Sequence, residues 1–211
     1  MARRKKEPER PDALRLVLLF TALGLAVIWT WRVVDEPVLQ TVREVRARDG
    51  LERTELHKDA LLEAARLSQL DVHLLAALAF RESSGHLDAV SEADALGLFQ
   101  LRMPTAVERA QKLGLEEPTR EDLLSNARLS ARLGSAYFRY LVDRFDGSVE
   151  AALVAYNTGP TRLARWIREH GSYAAWRAER DAAGDSHLLA YAADILHYTE
   201  VFAERGAFVE P

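Results

Sequence analysis

Three short segments of the 211-residue chain concentrate side chains able to do chemistry. The first is 81–85 (RESSG), where Glu82 follows the apolar run 74–80. Apolar neighbours and the negative end of a helix dipole both disfavour a carboxylate, so we expect the pKa of Glu82 to be raised. A carboxyl group that keeps its proton near neutral pH is suited to general acid catalysis. The alternative is an ordinary surface glutamate in a last helical turn.

The other two segments are turns rich in hydrogen-bonding groups. Residues 97–100 (GLFQ) form a glycine turn that leads to an apolar pair and the amide of Gln100. At 155–160 (AYNTGP) an apolar helix stops at residues suited to hydrogen-bonding a sugar, Tyr156, Asn157 and Thr158. Taken singly, the first is typical of a packed loop and the second of a helix that stops and restarts.

Helices are the elements that must position these segments. Apolar residues recur at helical spacing, and no alternating run predicts a sheet. The segment 72–83 is apolar nearly all round, as expected of a helix in the middle of a core, and Asp71 can cap it. The other predicted helices are 56–67, 105–113, 127–145, 149–156, 160–170 and 187–205, the last capped by Asp185 or Ser186. The predicted fold class is therefore all-α.

Composition and charge exclude several classes of function. The chain is 48% hydrophobic and 28% charged, which is typical of a globular protein. It contains no cysteine, which excludes disulfides, iron–sulfur ligation and thiol nucleophiles. The net charge of −4 argues against a nucleic-acid partner. The six histidines show no paired ligand spacing, so we predict no metal site.

A basic run and then an apolar run open the chain. Residues 1–15 carry six Lys/Arg against three Asp/Glu, and 16–31 carry no charge. Continued to residue 34, with the charge of Arg32 extended to the far interface, the helix nearly spans a hydrocarbon core of about 30 Å. We therefore predict a signal anchor at 16–34 that keeps the flank 1–15 in the cytoplasm, with Trp29 and Trp31 at the interface. The alternatives are a cleaved signal peptide, after which the remainder is secreted, and a buried soluble helix.

In this order and spacing, the three segments resemble the catalytic domain of soluble lytic transglycosylases. The GLFQ segment begins fifteen residues after Glu82, and AYNTG follows about sixty residues later. The resemblance covers roughly residues 55–205. It implies a lysozyme-like all-α fold and a bacterial enzyme that cleaves the glycan strands of peptidoglycan.

The resemblance implies a role for each matching polar residue. Glu82 matches the single catalytic acid, and Ser83 matches the serine that follows it and orients the acid or the substrate. Tyr156 and Asn157 match the tyrosine and asparagine that contact the acid and the N-acetyl sugar. Tyr191 resembles the late tyrosine that hydrogen-bonds the catalytic glutamate, although the Glu-Thr-Arg that precedes it in the family is absent.

The same resemblance implies that one loop lines the saccharide cleft. Gly97 and Gln100 match this loop, and Phe99 stands where the family usually has methionine. Gly159, the last residue of the AYNTG segment, matches the glycine at the same position in the family. Asp94 replaces a glycine that relatives usually carry, which bears on the shape of the loop before Gly97.

The implied reaction needs one protein carboxyl group, whereas most glycosidases use two. Glu82 would protonate the glycosidic oxygen between MurNAc and GlcNAc while the 2-acetamido carbonyl of the substrate attacks C1. The resulting carboxylate would then take a proton from the MurNAc 6-hydroxyl, which closes onto C1 as a 1,6-anhydro sugar. No metal or organic cofactor is implied.

Two other interpretations remain open at this point. One is a hydrolytic muramidase on the same fold, with Asp88, Glu92 or Asp94 activating a water molecule. The other is a non-catalytic peptidoglycan-binding scaffold of the envelope. The predicted partners are glycan strands and, through 16–34, the bacterial inner membrane, with any envelope or secretion complex unidentified.

The predicted organisation places a single catalytic domain beyond the anchor. A weakly amphipathic span, 38–48, predicts a stalk ending at Gly50, assigned to 35–52. The catalytic domain is assigned to 53–206 and a tail to 207–211. Residues from about 35 onward are expected on the extracytoplasmic, periplasmic side of the membrane.

Overall fold

The computed structural model describes residues 20, 21, 36–184 and 187–208. The chain divides into two compact units, Met1–Ala47 and Arg48–Pro211. Residues 36–47, which open the first helix named below, belong to the first unit, and the rest of that helix and all the other elements belong to the second. The elements are α1 Glu36–Glu55, α2 Lys58–Ser68, α3 Val72–Ser83, β1 Ala95–Leu96, β2 Leu101–Arg102, α4 Met103–Lys112, α5 Arg120–Ser125, α6 Ala127–Arg144, α7 Val149–Thr158, α8 Pro160–His170, α9 Tyr173–Ala182 and α10 His187–Arg205. The fold is mostly helical and lysozyme-like, as predicted.

Helix α3 lies in the middle of the core, as its sequence predicts. Seven consecutive residues of this helix, 74–80, are buried. Its N-terminus is capped by Asp71, whose side chain accepts hydrogen bonds from the backbone N–H groups of His73 and Leu74. The most extensive helix pairs are α3 with α10 and α2 with α6. Because α3 is surrounded by other helices, its last turn is held firmly, and that turn carries Glu82.

The prediction of an all-α fold is wrong in one detail. Ala95–Leu96 pairs antiparallel with Leu101–Arg102, and the turn between these strands holds the GLFQ segment. Each strand is two residues long, which is too short for an alternating apolar pattern to appear in the sequence. The hairpin fixes both ends of the turn, so the loop that borders Glu82 has a defined shape.

Gly50, the predicted end of the stalk, does not end a helix, because α1 continues through it to Glu55. Gly50 is buried, and a Cβ there would lie 2.7 Å from Cε2 of Phe80. This glycine therefore permits close packing rather than ending a helix. Leu56, the first residue of the predicted helix 56–67, lies between α1 and α2 and is 82% exposed. Helices α5 and α9 have no counterpart among the predicted elements.

The other predicted helices are found close to their expected bounds. Helices α8 and α10 match the predicted 160–170 and 187–205, and α6 and α7 differ at their C-terminal ends by one and two residues. Helix α4 begins two residues before the predicted 105–113, and Pro104 lies in its first turn. The predicted caps of α10, Asp185 and Ser186, are outside the described residues.

Within the described residues, no helix is both long enough and apolar enough to cross a membrane. The predicted anchor at 16–34 lies outside those residues except for positions 20 and 21. The predicted flank 1–15 and the last three residues of the predicted tail lie outside them as well.

Candidate active site

Glu82 lies in the last turn of α3 and faces a cleft of about 550 Å³. The residue is partly exposed toward the cleft, but protein surrounds its carboxyl group, and this desolvation raises the pKa of Glu82 above the ordinary value of 4.5. Two weaker effects favour the carboxylate and oppose the rise, a hydrogen bond from Tyr191 and the positive charge of Arg81. The raised pKa expected from the sequence is therefore confirmed, with desolvation as its main cause.

Tyr191 supplies the hydrogen bond to the acid from the neighbouring helix α10. Its hydroxyl donates to Oε1 of Glu82, as the resemblance implies. The tyrosine is 5% exposed, and burial together with the nearby Glu82 raises its pKa well above the ordinary value. Tyr191 therefore keeps its proton and stays a donor to the carboxyl group throughout the working range of pH.

Arg81 lies beside this pair and was not predicted as a site residue. Its guanidinium carbon is 5.2 Å from the centroid of the Tyr191 ring, and its Nε lies 3.7 Å from Asp194. The contact with the ring face is a cation–π interaction, which restrains the ring. Its position next to Glu82 in the RESSG segment was the only signal available from the sequence.

Of the two roles that the resemblance implies for Ser83, orienting the acid or orienting the substrate, its position fits the first. It is buried, and its hydroxyl hydrogen-bonds the Ala79 and Leu98 carbonyl oxygens, at 3.0 and 2.9 Å. Ser83 does not line the cleft. It instead ties the end of α3 to the GLFQ turn, and so holds Glu82 and the turn in register.

The GLFQ turn is fixed by two glycines that allow close approach. Gly97 has φ +71°, and a Cβ at this position would lie 2.3 Å from the Leu123 carbonyl oxygen. Phe99 is fully buried against Gly134, where an added Cβ would lie 2.3 Å from Cγ of the phenyl ring. Both contacts require that no side chain be present, so glycine is dictated at both positions.

Two further residues of the same loop adopt left-handed backbone conformations. Gln100 has φ +47°, and its side-chain amide donates to the Ala89 and Gly97 carbonyl oxygens at 3.1 and 3.0 Å. Asp94 has φ +59°, the region that glycine adopts most easily. The replacement of the expected glycine by Asp94 therefore leaves the turn in place, and its carboxylate forms an ion pair with Arg120.

Tyr156 lies close to Glu82, but the hydrogen bond that its hydroxyl donates goes to the GLFQ turn rather than to the acid. Its hydroxyl donates to the Phe99 carbonyl oxygen at 2.6 Å, and a hydroxyl has a single proton to donate. Burial and the nearby charge of Glu82 raise the pKa of Tyr156 well above the ordinary value. Tyr156 therefore anchors the GLFQ turn from across the cleft.

The end of α7 forms the opposite edge of the cleft. Asn157 is exposed there, and Gly159 has φ +89° where the chain turns into α8. Tyr137 of α6 also lines the cleft, with its ring centroid 5.3 Å from that of Tyr156. Burial raises the pKa of Tyr137 to about 12, so its hydroxyl is neutral. The sequence placed Tyr137 only on a helix face and gave no sign of a role in a site.

Among the described residues that line the cleft, Glu82 has the single carboxyl group. The lining residues are Arg81, Glu82, Ser91, Ala95, Gln100, Leu101, Arg102, Thr105, Tyr137, Tyr156, Asn157, Thr158, Gly159 and Tyr191. Asp88, Glu92 and Asp94 are exposed and do not belong to this lining. The cleft therefore offers one carboxylic acid able to transfer a proton. The polar groups around it are neutral hydroxyls, amides and two arginines.

Comparison with known families agrees with this arrangement. A family model described as the transglycosylase SLT domain matches residues 59–178, which is more than half of the chain. The chain belongs to this family. The matched range of the SLT domain includes Glu82, the GLFQ turn and the AYNTG segment, whereas Tyr191 lies beyond it.

Solved structures similar to this SLT domain are lytic transglycosylases. An inactive mutant of the lytic transglycosylase Slt from Pseudomonas aeruginosa is 26% identical, with a TM-score of 0.63, over 74% of this chain and 25% of its own. The 70-kDa soluble lytic transglycosylase SLT70 from Escherichia coli is 21% identical, with a TM-score of 0.58, over 67% and 23%. A complex of the 70-kDa enzyme with bulgecin A is 19% identical, with a TM-score of 0.62, over 70% and 24%.

These comparisons have a limited extent. This chain spans about a quarter of the length of each of the three solved proteins. The two likenesses below 25% identity support the fold alone. The shared part is therefore the helical domain that holds Glu82.

Replacing Tyr191 with Phe should move the pH dependence of activity. The hydrogen bond from Tyr191 favours the carboxylate, so its loss raises the pKa of Glu82 further. A general acid works while protonated, so the alkaline limb of kcat/KM should shift to higher pH. The loss of a hydrogen bond to a charged group, about 1.5–3 kcal/mol, should lower the maximal rate roughly 10- to 100-fold.

Tyr198→Phe is the matched control for Tyr191→Phe, because it removes a hydroxyl from the same helix. The Tyr198 ring packs on Phe80 and does not line the cleft. Its pH profile should match that of the wild type. An unmoved alkaline limb in Tyr191→Phe would contradict the role assigned to the Tyr191 hydrogen bond.

Proposed function

We propose that this SLT domain is a peptidoglycan lytic transglycosylase that cleaves the β-1,4 bond between MurNAc and GlcNAc and leaves a 1,6-anhydroMurNAc end. One observation carries the proposal. The cleft presents a single carboxyl group, that of Glu82, with a raised pKa and a protonated tyrosine hydrogen-bonded to it. Family membership and the similar solved structures support the same reaction class.

In the first step Glu82 acts as a general acid. Its proton passes to the glycosidic oxygen, the bond from that oxygen to C1 of MurNAc breaks, and GlcNAc leaves with its hydroxyl restored. The 2-acetamido carbonyl oxygen of MurNAc forms the new bond to C1, which gives an oxazolinium ion. A group of the same sugar is already held near C1, so the attack is intramolecular and gains from proximity.

In the second step the same residue acts as a base. The Glu82 carboxylate removes the proton of the MurNAc 6-hydroxyl, and that oxygen bonds to C1 as the acetamido oxygen leaves. Glu82 regains its proton, and no water is consumed. The hydrogen bond from Tyr191 stabilises the carboxylate between the two steps, because Tyr191 keeps its own proton.

Two exposed or partly exposed amides border the place where the sugar would lie. Asn157, at the end of α7, would hold the acetamido group in the geometry needed for attack. Gln100 has its side-chain N–H groups turned toward backbone carbonyls, which leaves its amide oxygen as the group able to accept from a sugar hydroxyl. Tyr137 and Tyr156 form the wall between them.

Product analysis distinguishes this reaction from hydrolysis by a muramidase. We expect digests of purified sacculi, examined by mass spectrometry, to contain anhydro ends, which lack one water relative to reducing ends. A triple variant, Asp88→Asn with Glu92→Asn and Asp94→Asn, should keep the same products and at least about half of the rate. These three carboxylates do not line the cleft, so none is placed to activate a water at the sugar.

Reducing ends in the wild-type digest would favour the muramidase. Loss of activity in the triple variant, with its folding unchanged, would point to a second essential carboxylate. A protein that binds sacculi and releases nothing would be the non-catalytic scaffold. The acid Glu82, the tyrosine Tyr191 hydrogen-bonded to it and the open cleft favour a catalytic role over that of a non-catalytic scaffold.

We also propose that residues 16–34 anchor the chain in the bacterial inner membrane, with the SLT domain on the periplasmic side. The support comes from the uncharged run 16–31 and the basic flank before it. The full chain should fractionate with membranes, and external protease should degrade the domain in spheroplasts. Recovery of a soluble periplasmic chain shortened at its N-terminus would instead indicate signal cleavage.

A further inference from the structure

Three arginines form a row on α8, directly after the turn that ends the cleft. Arg162, Arg165 and Arg168 are spaced three residues apart, so they lie along one side of the helix, and all three are exposed. They border a hollow of about 480 Å³, whose remaining lining residues are Thr158, Gly159, Pro160 and Thr161. The hollow beside this arginine row therefore has a strongly positive wall.

Little negative charge offsets the arginine row. No carboxylate lines the hollow among the described residues, and Arg165 makes the row's one ion pair within them, to Glu169 at 3.8 Å. Since the whole chain has a net charge of −4, three neighbouring cations are not a result of overall composition. Arg162 and Arg168 are thus available to an anionic group from outside the protein.

The hollow adjoins the catalytic cleft. Thr158 and Gly159 line both, and Asn157 precedes them at the edge of the cleft. Helix α8 begins at Pro160, so its first turn already carries Arg162 next to that edge. A substituent on a sugar held by Asn157 can therefore leave the cleft across Gly159 and reach the arginine row.

The substrate in the proposed function has such a substituent. The lactyl group of MurNAc bears a peptide stem, and that stem carries free carboxylates. We propose that the arginine row binds the stem carboxylates, which makes the SLT domain selective for peptide-bearing glycan strands. This inference rests on the proposed function, because it takes peptidoglycan as the substrate.

The known strength of exposed ion pairs gives the expected gain in affinity for stem-bearing strands. An exposed ion pair contributes about 0.2–1 kcal/mol, which is roughly 1.4- to 5-fold in affinity for each arginine. Planar guanidinium groups bind carboxylates in a bidentate manner, which places Arg162 and Arg168 in the upper half of that range, at about threefold each. Together they should supply about tenfold, and salt should weaken the effect because both are exposed.

The test compares soluble glycan strands with and without stems. Uncross-linked strands are used directly or after treatment with an N-acetylmuramoyl-L-alanine amidase, which removes the peptide and leaves the lactyl carboxylate. On stem-bearing strands the double variant Arg162→Gln with Arg168→Gln should raise KM about tenfold and leave kcat within about twofold. On stripped strands its KM should equal that of the wild type.

A charge-matched control separates the arginine row from net charge. Arg66→Gln with Lys112→Gln removes two exposed positive charges that belong neither to the cleft nor to the hollow. This control should leave KM unchanged on both strands. An equal rise in KM in the control and in the arginine double variant would assign the effect to overall charge and overturn the proposal.

The remaining outcomes also test whether the arginine row binds the stem carboxylates. An equal rise in KM on both kinds of strand would mean that the arginines contact the sugar backbone, which both strands share, rather than the stem carboxylates, and would overturn the proposal. No rise on either would make the row an ordinary solvated surface. Failure of the proposed function differs from both, since the wild type would then release no product. Binding of fluorescent strands, measured by anisotropy, would still test the arginine row in that case.

Discussion

Glu82→Gln is expected to lower the rate of glycan cleavage by at least about 10³-fold while the protein stays folded. Gln has the size of Glu and can accept the hydrogen bond from Tyr191, but it has no acidic proton. Both proposed steps use this one carboxyl group, first as acid and then as base. The lining of the cleft offers no second carboxyl group to replace it. Initial rates of turbidity clearing with purified sacculi would measure the loss.

The same substitution should stabilise the protein at neutral pH. Because the folded state raises the pKa of Glu82, it binds a proton more tightly than the unfolded chain does, and it is penalised as that proton is lost. The penalty is absent below the ordinary value of 4.5, grows as pH rises from there to the folded-state pKa, and is constant above it. The Tm of Glu82→Gln should therefore exceed that of the wild type near pH 7 and match it near pH 4.

Glu92→Gln is the matched control for both effects. Glu92 is exposed and does not line the cleft. Its replacement should alter neither the rate nor the pH dependence of Tm. If Glu82→Gln kept more than about a tenth of the wild-type rate, Glu82 would not be the catalytic acid.

Gly97→Ala should destabilise the SLT domain by roughly 2–5 kcal/mol. The new Cβ would lie 2.3 Å from the Leu123 carbonyl oxygen and 3.1 Å from Oγ of Ser130. The first of these neighbours is backbone, which cannot rotate away. The left-handed backbone adds about 1–2 kcal/mol of strain for any residue with a Cβ. Equilibrium unfolding in urea, followed by circular dichroism, would measure the change.

Gly114→Ala separates the strain of a left-handed backbone from the steric clash of the new Cβ. Gly114 also has a left-handed backbone, with φ +65°, but a Cβ there would have nothing within 4 Å. This control should show the strain alone, about 1–2 kcal/mol. Gly97→Ala should also lose activity, because movement of its turn displaces the Phe99 carbonyl that Tyr156 holds. Equal destabilisation by the two substitutions would contradict the close packing at Gly97.

The parts of the site that follow from local sequence could be predicted. An apolar run of helical length, with Asp71 before it and Glu82 at its end, is enough to indicate a core helix that presents a desolvated acid. The ends of α8 and α10 were also predictable, because Gly171 and Gly206 follow them. In these segments the residues that determine the structure are close neighbours in the sequence, so the sequence pattern alone predicts it.

Long-range partners could not be derived from local patterns. Tyr191 is 109 residues from Glu82, so their hydrogen bond depends on how α3 and α10 pack, and only the family resemblance indicated it. The direction of the Tyr156 hydroxyl depends on the neighbouring backbone carbonyl of Phe99, which no spacing rule describes. Ser83 is a similar case, since its partner Leu98 belongs to the hairpin that the sequence did not reveal.

Glycine gave an ambiguous signal in this chain. Gly50 was interpreted as the end of the stalk, yet it lies inside α1 and lets Phe80 approach. Gly134 lies inside α6 for the same reason, facing Phe99. A glycine that permits packing and a glycine that ends a helix look alike until the opposing side chain is known.

The central claim is that Glu82 acts without a second carboxylate and that the sugar supplies its own nucleophile. Cleavage in water enriched in ¹⁸O tests it most directly. Products should be reduced with borohydride at once, so that exchange at free reducing ends is limited, and a hydrolytic muramidase should be run beside the enzyme. We predict that the MurNAc ends gain no ¹⁸O and remain anhydro sugars. One ¹⁸O atom at C1 for each bond cleaved, as in the hydrolytic control, would contradict the account.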